Sequence, residues 1–257
     1  VTGDNILIEN LSFRNFNFTE SDGGAIRWNG KMGILKNCNF INNTSNNGGA
    51  LFWGSNDGNL FNSNFINNNA NNGAGIWWNS ANGTVTGCNF INNTVTNNGG
   101  AILWVGTKGT VTGCNFINNT ATNNGGAIHW MGAANNGTVT DTIFINNTAK
   151  GGGAAYWVGN YGKLIDCNFT TNNAVWEGGA IRWYGTDGAV ISSIFTRNTV
   201  NNGAVFWSGS NGILTDCIFI DNNANADTGA IYWQVAGSMN NCNFINSKSV
   251  KYNGIYA

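Results

Sequence analysis

One pattern of apolar and polar positions recurs along the whole chain every 24 to 27 residues. Each unit reads Gly-Ala-Ile-x-Trp, a Gly-rich turn, Leu/Val-x-x-Cys-x-Phe-x-x-Asn, and then a turn of Asn, Thr and Gly. The repeat tryptophans are Trp28, Trp53, Trp78, Trp104, Trp130, Trp157, Trp183, Trp207 and Trp233. The repeat phenylalanines are Phe13, Phe40, Phe65, Phe90, Phe116, Phe144, Phe169, Phe195, Phe219 and Phe244. Nine units and the start of a tenth account for almost every residue, so the sequence predicts a repeat architecture.

Each unit favours short strands over helices. Its apolar segments are four to six residues long, rich in Ile, Val, Phe and Trp, and separated by Gly and Asn, whereas a helix needs ten or more uninterrupted residues. Asn-Gly pairs supply the positive φ angles of tight turns; they are Asn47-Gly48, Asn98-Gly99, Asn124-Gly125 and Asn202-Gly203. A repeat of this length with no Pro fits one turn of a parallel β-helix. We therefore predict one all-β domain over residues 1–257, with nine to ten turns spaced about 4.8 Å apart.

Strand alternation predicts which columns of side chains face inward. The position two before each tryptophan is always apolar: Ile26, Leu51, Ile76, Ile102, Ile128, Ala155, Ile181, Val205 and Ile231. The tryptophan shares its parity and should point inward or lie at a corner. A second inward column is Leu35, Leu60, Val85, Val111, Val139, Leu164, Val190 and Leu214. A third is Leu11, Cys38, Ser63, Cys88, Cys114, Thr142, Cys167, Ser193, Cys217 and Cys242.

The residue directly before each repeat tryptophan has the opposite parity and should face outward. We name this column the outward strip: Arg27, Phe52, Trp77, Leu103, His129, Tyr156, Arg182, Phe206 and Tyr232. An exposed apolar strip marks an interaction surface, and aromatic faces suit stacking on sugars or packing on a partner protein. Its eight aromatic and cationic members are therefore the predicted ligand-binding residues. Another segment of the parent protein covering the strip is the alternative, and the sequence leaves both open.

Composition excludes several functions. With 12% aromatic and 9% charged residues the chain is not a disordered polyampholyte. A net charge of −1 argues against a nucleic-acid partner, which needs a concentrated Lys/Arg patch. No apolar run approaches the roughly 18 to 20 residues of a spanning helix, so we expect no membrane insertion by this segment. His129 is the single histidine and there is no Cys-x-x-Cys, so we predict neither a metal site nor a cofactor.

The cysteines and the asparagines are each predicted to stack in columns, with one residue per turn. All six cysteines share one inward slot, where stacked side chains point alike, so we predict buried thiols rather than disulfides. The Asn-rich turns should stack as hydrogen-bonded amide ladders. Four of these turns also form Asn-x-Thr acceptors for glycosylation, at Asn42, Asn92, Asn118 and Asn146; whether they are modified stays open.

Two further groups of residues have the composition of a possible site. Asp141, Asp166 and Asp216 precede the Cys slot and are the best candidates for paired catalytic carboxylates. Because Asn37, Asn62 and other turn formers fill that position elsewhere, we interpret them as turn residues and predict no catalysis. A Thr-x-Thr array could match an ice lattice, but β propensity also explains it; it comprises Thr84/Thr86, Thr110/Thr112 and Thr138/Thr140.

The paired motifs Phe90-Ile91-Asn92-Asn93 and Gly99-Gly100-Ala101-Ile102 resemble the repeats of chlamydial polymorphic outer-membrane proteins. The dense Asn-Cys-x-Phe runs are even more similar to the adhesin-like surface proteins of methanogenic archaea. Phe-x-x-Asn is intact on most turns and fails at Phe244/Ser247. The resemblance covers the whole chain and implies a right-handed parallel β-helix that is extracellular, at a cell surface, with an adhesive role.

Three functions follow as hypotheses. The first is an adhesin-like domain that attaches to a glycan or surface protein of another cell through the outward strip. The second is a purely structural module that self-associates end to end into a filament or surface layer, because neither end carries a polar cap. The third is a polysaccharide-degrading β-helix enzyme. We expect the chain to be a fragment of a longer repeat-containing surface protein.

Overall fold

The computed structural model describes residues 1–132 and 136–257, and within these ranges it contains strands and turns but no α-helix. The described residues form thirty-nine short strands in four sheets, and every pairing between these strands is parallel. Each turn of the chain contributes one strand to each sheet and then passes to the next turn, which stacks on the one before. The predicted all-β parallel solenoid of about ten turns is confirmed.

The first two sheets follow each other directly along every turn. Sheet 1 comprises Leu7–Glu9, Ile34–Lys36, Asn59–Phe61, Thr84–Thr86, Thr110–Thr112, Thr138–Thr140, Lys163–Ile165, Ala189–Ile191, Gly212–Thr215 and Gly237–Asn240. Sheet 2 comprises Ser12–Arg14, Asn39–Ile41, Asn64–Ile66, Asn89–Ile91, Asn115–Ile117, Ile143–Ile145, Asn168–Thr170, Ile194–Thr196, Ile218–Ile220 and Asn243–Ile245.

The other two sheets complete each turn. Sheet 3 comprises Asn17–Asp22, Thr44–Asn47, Asn69–Asn72, Thr94–Asn98, Thr120–Ala121, Thr148–Gly151, Asn173–Glu177, Thr199–Val200 and Asn223–Ala224. Sheet 4 comprises Ile26–Trp28, Leu51–Trp53, Ile76–Trp78, Ile102–Trp104, Ile128–Trp130, Ala155–Trp157, Ile181–Trp183, Val205–Trp207, Ile231–Trp233 and Ile255–Tyr256. The sheet 4 strands carry the outward strip at their central position.

The core consists of stacked identical side chains. The nine repeat tryptophans stack with ring centroids 4.6–5.1 Å apart, and the ten phenylalanines stack at 4.6–5.0 Å. The predicted Leu/Val column is fully buried, and so is most of the Cys column. Leu11 is 50% exposed, contrary to the inward prediction for it, because it lies between the two strands Leu7–Glu9 and Ser12–Arg14 of the first turn, which packs against a neighbouring turn on one side only.

The prediction of free rather than disulfide-bonded cysteines is confirmed, since all six are free thiols. Five of them are buried as predicted, whereas Cys242 is only half-buried. The backbone N–H of Cys88 donates to Sγ of Cys114 at 3.4 Å. Burial raises the pKa of Cys167 and of Cys217 to about 12.

A buried amide ladder lines the corner between sheets 2 and 3. The backbone N–H and Nδ2 of Asn93 both donate to Oδ1 of Asn119 at 3.0 Å, and Asn119 repeats both bonds to Asn147. Nδ2 of Asn119 also donates to the carbonyl of Phe90 at 2.9 Å. The ladder comprises Asn43, Asn68, Asn93, Asn119, Asn147, Asn172, Asn198 and Asn222. It confirms the predicted stacking and places it inside the wall of the solenoid.

Left-handed backbone positions connect sheets 1 and 2. Asp141, Asp166 and Asp216 have φ angles of 49°, 53° and 54°, as do Asn37 at 54° and Asn62 at 45° on other turns. Asn, Asp and Gly tolerate this conformation better than other residues. The three aspartates therefore occupy a turn position that the fold needs on every turn.

Candidate functional site

The outward strip lies on the outer face of sheet 4, because the residues on either side of each member are buried in the core. Its members differ in accessibility. Arg27 is exposed, while Trp77, Tyr156, Arg182 and Tyr232 are half-buried.

Three predicted site residues are covered, which corrects the expectation of a fully exposed strip. Phe52, His129 and Phe206 are only 6%, 5% and 3% exposed. Leu103, on the turn between Trp77 and His129, is buried as well. Strand alternation predicts correctly that these side chains leave the core, but not whether other side chains lie over them.

The covering side chains are the strip's own members on neighbouring turns. The Arg27 guanidinium lies 4.5 Å from the ring centroid of Phe52, and the Phe52 ring meets Trp77 edge-on at 5.3 Å. Phe206 stacks on Tyr232 at 5.4 Å. A column of flat side chains with one member per turn therefore shields its own faces.

His129 is the most deeply covered ionisable member. Its ring meets Tyr156 at 4.8 Å in an edge-on arrangement, and its Nδ1 has no hydrogen-bond partner among the described residues. Burial lowers the pKa of His129 to about 3, because a charged imidazole would lose its hydration there. At neutral pH it is an uncharged packing residue.

Arg182 is the centre of a network on the strip. Its guanidinium carbon lies 5.4, 5.0 and 5.8 Å from the ring centroids of Tyr156, Tyr184 and Phe206, and its Nη2 is 2.7 Å from the Glu177 carboxylate. The same Nη2 donates to the Tyr184 hydroxyl. Arg182 of the strip therefore forms an ion pair with Glu177 of sheet 3 while lying close to three aromatic rings.

Sequence reasoning missed two exposed aromatic side chains: Tyr184 of this network and Trp176 next to it. Trp176 in sheet 3 is 49% exposed, and Tyr184, directly after a repeat tryptophan, is 37% exposed. Register places Glu177 level with Gly151, Gly151 with Asn124 and Asn124 with Asn98. Trp176 therefore stands where the residues before Asn98 and Asn124 are the amides Asn97 and Asn123. This departure from the repeat is the signal that identifies it.

The other features considered from the sequence lie outside the outward strip. The Thr-x-Thr array lies in register on the outer face of sheet 1, with Oγ1 of Thr140 donating to Oγ1 of Thr112 at 3.1 Å. Within residues 1–132 and 136–257, no three His, Cys, Asp or Glu side chains come together as a metal-ligand set. None of the described residues forms a helix long and apolar enough to cross a membrane.

Parallel sheets that wind through about ten stacked turns define the chain as a β-solenoid. The profile of the family described as a right-handed beta helix region matches residues 74–257, and the chain belongs to this family. Membership confirms the predicted right-handed parallel β-helix. No curated protein and no solved structure matches the chain. Because a scaffold of this kind carries many functions, the function has to be argued from the surface.

Proposed function

We propose that this chain is an adhesin-like β-helix domain at a cell surface that attaches to a glycan or surface protein of another cell through the outward strip. The observation that supports binding is a column in which Trp77, Tyr156 and Tyr232 keep part of their rings accessible on one side of the solenoid. Amphipathic aromatic side chains in such positions are enriched at recognition surfaces. The extracellular location is part of the proposal and rests on the resemblance of the repeats.

The stacked core supports a role as a rigid support for this strip. Each turn pairs along all four sheets with its neighbours, so the accessible rings are held at fixed separations. Preorganised side chains lose little conformational entropy when a ligand binds.

A glycan and protein array tests the proposal with the complete chain and a variant carrying Trp77→Ala, Tyr156→Ala and Tyr232→Ala. The control variant carries Asn69→Ala, Thr94→Ala and Thr120→Ala on the exposed face of sheet 3. Binding that the strip variant loses and the control keeps would support the strip as the adhesive surface. Binding that is equal in all three proteins would place recognition elsewhere.

A purely structural module that stacks end to end is the second proposal. It is favoured by the burial of Phe52, His129 and Phe206, which leaves less of the strip available to a ligand. Sedimentation velocity over a hundredfold range of concentration tests it: a rising mass supports stacking, and a constant monomer mass contradicts it.

We propose no catalytic role. The carboxylates of Asp141, Asp166 and Asp216 are accounted for by their left-handed turn positions. The competing proposal, a polysaccharide-degrading enzyme, is tested by incubating the chain with polysaccharides and measuring new reducing ends. Their appearance would overturn the binding proposal in favour of catalysis.

A further inference from the structure

Departures from the repeat are concentrated at one corner of the solenoid. Lys150 stands where turns with an equally short sheet 3 strand carry Asn46 and Asn71, and Trp176 stands where others carry Asn97 and Asn123. The three further members of this corner are Glu177, Arg182 and Tyr184. Other turns carry Asn98 or Asn124 level with Glu177, and Asn79 or Ser208 at the position of Tyr184. The first turn carries a comparable ion pair between Asp22 and Arg27, but the other turns that follow it form the same fold without any of these residues, so folding does not require them here.

Two groups of side-chain contacts adjoin here, one between Lys150 and Trp176 and one among Glu177, Arg182 and Tyr184. Nζ of Lys150 lies 5.5 Å from the ring centroid of Trp176. Glu177, next in sequence to Trp176, pairs with Arg182 at 2.7 Å, and Arg182 donates to the hydroxyl of Tyr184. We name this group the corner patch: Lys150, Trp176, Glu177, Arg182 and Tyr184.

Gly151 provides the space that the Arg182 side chain occupies in the corner patch. A Cβ at this position would lie 2.7 Å from Nη1 of Arg182 and 3.1 Å from its Cδ. On preceding turns this register position is Asn124 and Asn98. The glycine leaves room for the guanidinium, which in turn orients Glu177 and Tyr184 before any ligand arrives.

The charged groups of the corner patch differ in whether they are already paired within the protein. The carboxylate of Glu177 is neutralised by Arg182, whereas Lys150 belongs to none of the ion pairs formed by the described residues. The ammonium group beside the exposed Trp176 ring is therefore available to a carboxylate. An exposed indole next to such a cation offers a stacking face and a charged contact within one small area.

We propose that the corner patch binds an acidic glycan, with the apolar face of a sugar ring on Trp176 and the sugar carboxylate at Lys150. Arg182 is a positioning residue that fixes Glu177 and Tyr184 as hydrogen-bonding partners for the sugar hydroxyls. The inference rests on the proposed function, because it names the site and the ligand class of an adhesive surface. The inference differs from the proposed function in one respect. The sugar contacts Trp176 and Lys150 beside the outward strip, and not the side chains along the whole length of the strip.

Matched acidic and neutral sugars test this assignment with the complete chain. The probes are oligogalacturonate and sialyllactose, each compared with its own methyl ester, so that the two members of each pair differ only in whether the carboxylate is charged. The variants Trp176→Asn and Lys150→Asn introduce residues that other turns carry, which preserves the fold. A variant carrying Trp77→Ala and Tyr232→Ala examines the outward strip separately. Calorimetry at low and moderate salt measures each Kd, and thermal unfolding checks every variant.

We expect at least one acidic sugar to bind about tenfold more tightly than its neutral partner, with the preference shrinking as salt screens the charge. Lys150→Asn should remove the preference, and Trp176→Asn should raise Kd at least about tenfold for both sugars. Wild-type affinity in Trp176→Asn, equal binding of acid and ester, or no binding of either acid overturns the inference. Loss confined to the Trp77/Tyr232 variant overturns it while leaving the proposed function in place.

Discussion

At the scale of single residues, buried polar groups are held by partners on the adjacent turns. Oδ1 of Asn119 accepts two hydrogen bonds from Asn93, and its Nδ2 donates to Phe90 and Asn147. One side chain thus satisfies backbone and side-chain groups on several turns. An unsatisfied buried group costs about 1–3 kcal/mol, so this position is far more demanding than its exposed neighbour Asn118.

Replacing Asn119 by alanine should lower the free energy of unfolding by about 3 kcal/mol or more, because at least two buried partners lose their bonds. The control is Asn118→Gly, which keeps the left-handed backbone at φ 56° and should change stability little. Urea midpoints of both variants provide the comparison. Similar midpoints for the two would show that the buried ladder contributes no more than the exposed turn.

His129 predicts a specific dependence of stability on pH. Because burial lowers its pKa from 6.5 to about 3, the unfolded chain takes up the proton first. The neutral His129 side chain contributes fully to the free energy of unfolding above pH 6.5, and this contribution is lost as the pH falls from 6.5 toward 3. We expect a loss of about 1.5 kcal/mol between pH 6.5 and 5.

The variant His129→Leu isolates this effect, since Leu103 fills the same column one turn earlier. Most carboxylates titrate below pH 5, so the variant should show a nearly flat urea midpoint from pH 6.5 to 5. A wild-type curve as flat as that of the variant would contradict the buried, neutral imidazole.

At the scale of the elements, the corner between sheets 4 and 1 depends on a glycine under each indole. A Cβ at Gly109 would lie 2.2 Å from Cζ2 of Trp104. That ring is stacked between Trp78 and Trp130 at 4.8 and 4.7 Å and cannot move aside.

Gly109→Ala should therefore destabilise the domain by about 1–3 kcal/mol through overpacking. The matched control is Gly113→Asn, where φ is 61° and a Cβ meets nothing within 4 Å. That change should alter stability by less than about 1 kcal/mol, because Asn37 and Asn62 adopt the same left-handed conformation at this turn position. Equal urea midpoints for Gly109→Ala and wild type would mean that the indole does not rest on this glycine.

Strand alternation and a fixed repeat length predict whether each side chain points into or out of the core. The parts of the fold that depend only on this direction could therefore be predicted from the sequence. The inward positions of Trp104 and Val111 follow from parity because both neighbours on adjacent turns are identical in kind. The cover over Phe52 does not follow, since it depends on how Arg27 and Trp77 orient their side chains across turns. Trp176 lies in a strand of the same length as that of Asn97, so its departure from the amides Asn97 and Asn123 can be read from the sequence, whereas the exposure of its ring cannot.

At the scale of the whole molecule, each turn contacts only its two neighbours, so stability is close to a sum of nearest-neighbour terms. Turns with a single neighbour should open more often than those in the middle. The cysteines sample the length of the solenoid: Cys38 and Cys242 lie near its two ends, while Cys114 and Cys167 lie in the middle.

Thiol modification of the isolated chain should therefore proceed from the ends inward. Cys242 is only half-buried and should react with a small maleimide first, followed by Cys38 and Cys217. Cys114 and Cys167 should react last, because they require the opening of turns that are paired on both sides. Peptide mass spectrometry at timed intervals gives the order, and all six should react at similar rates in concentrated guanidinium. Equal native rates for the five buried thiols would instead indicate that the solenoid opens as one cooperative unit.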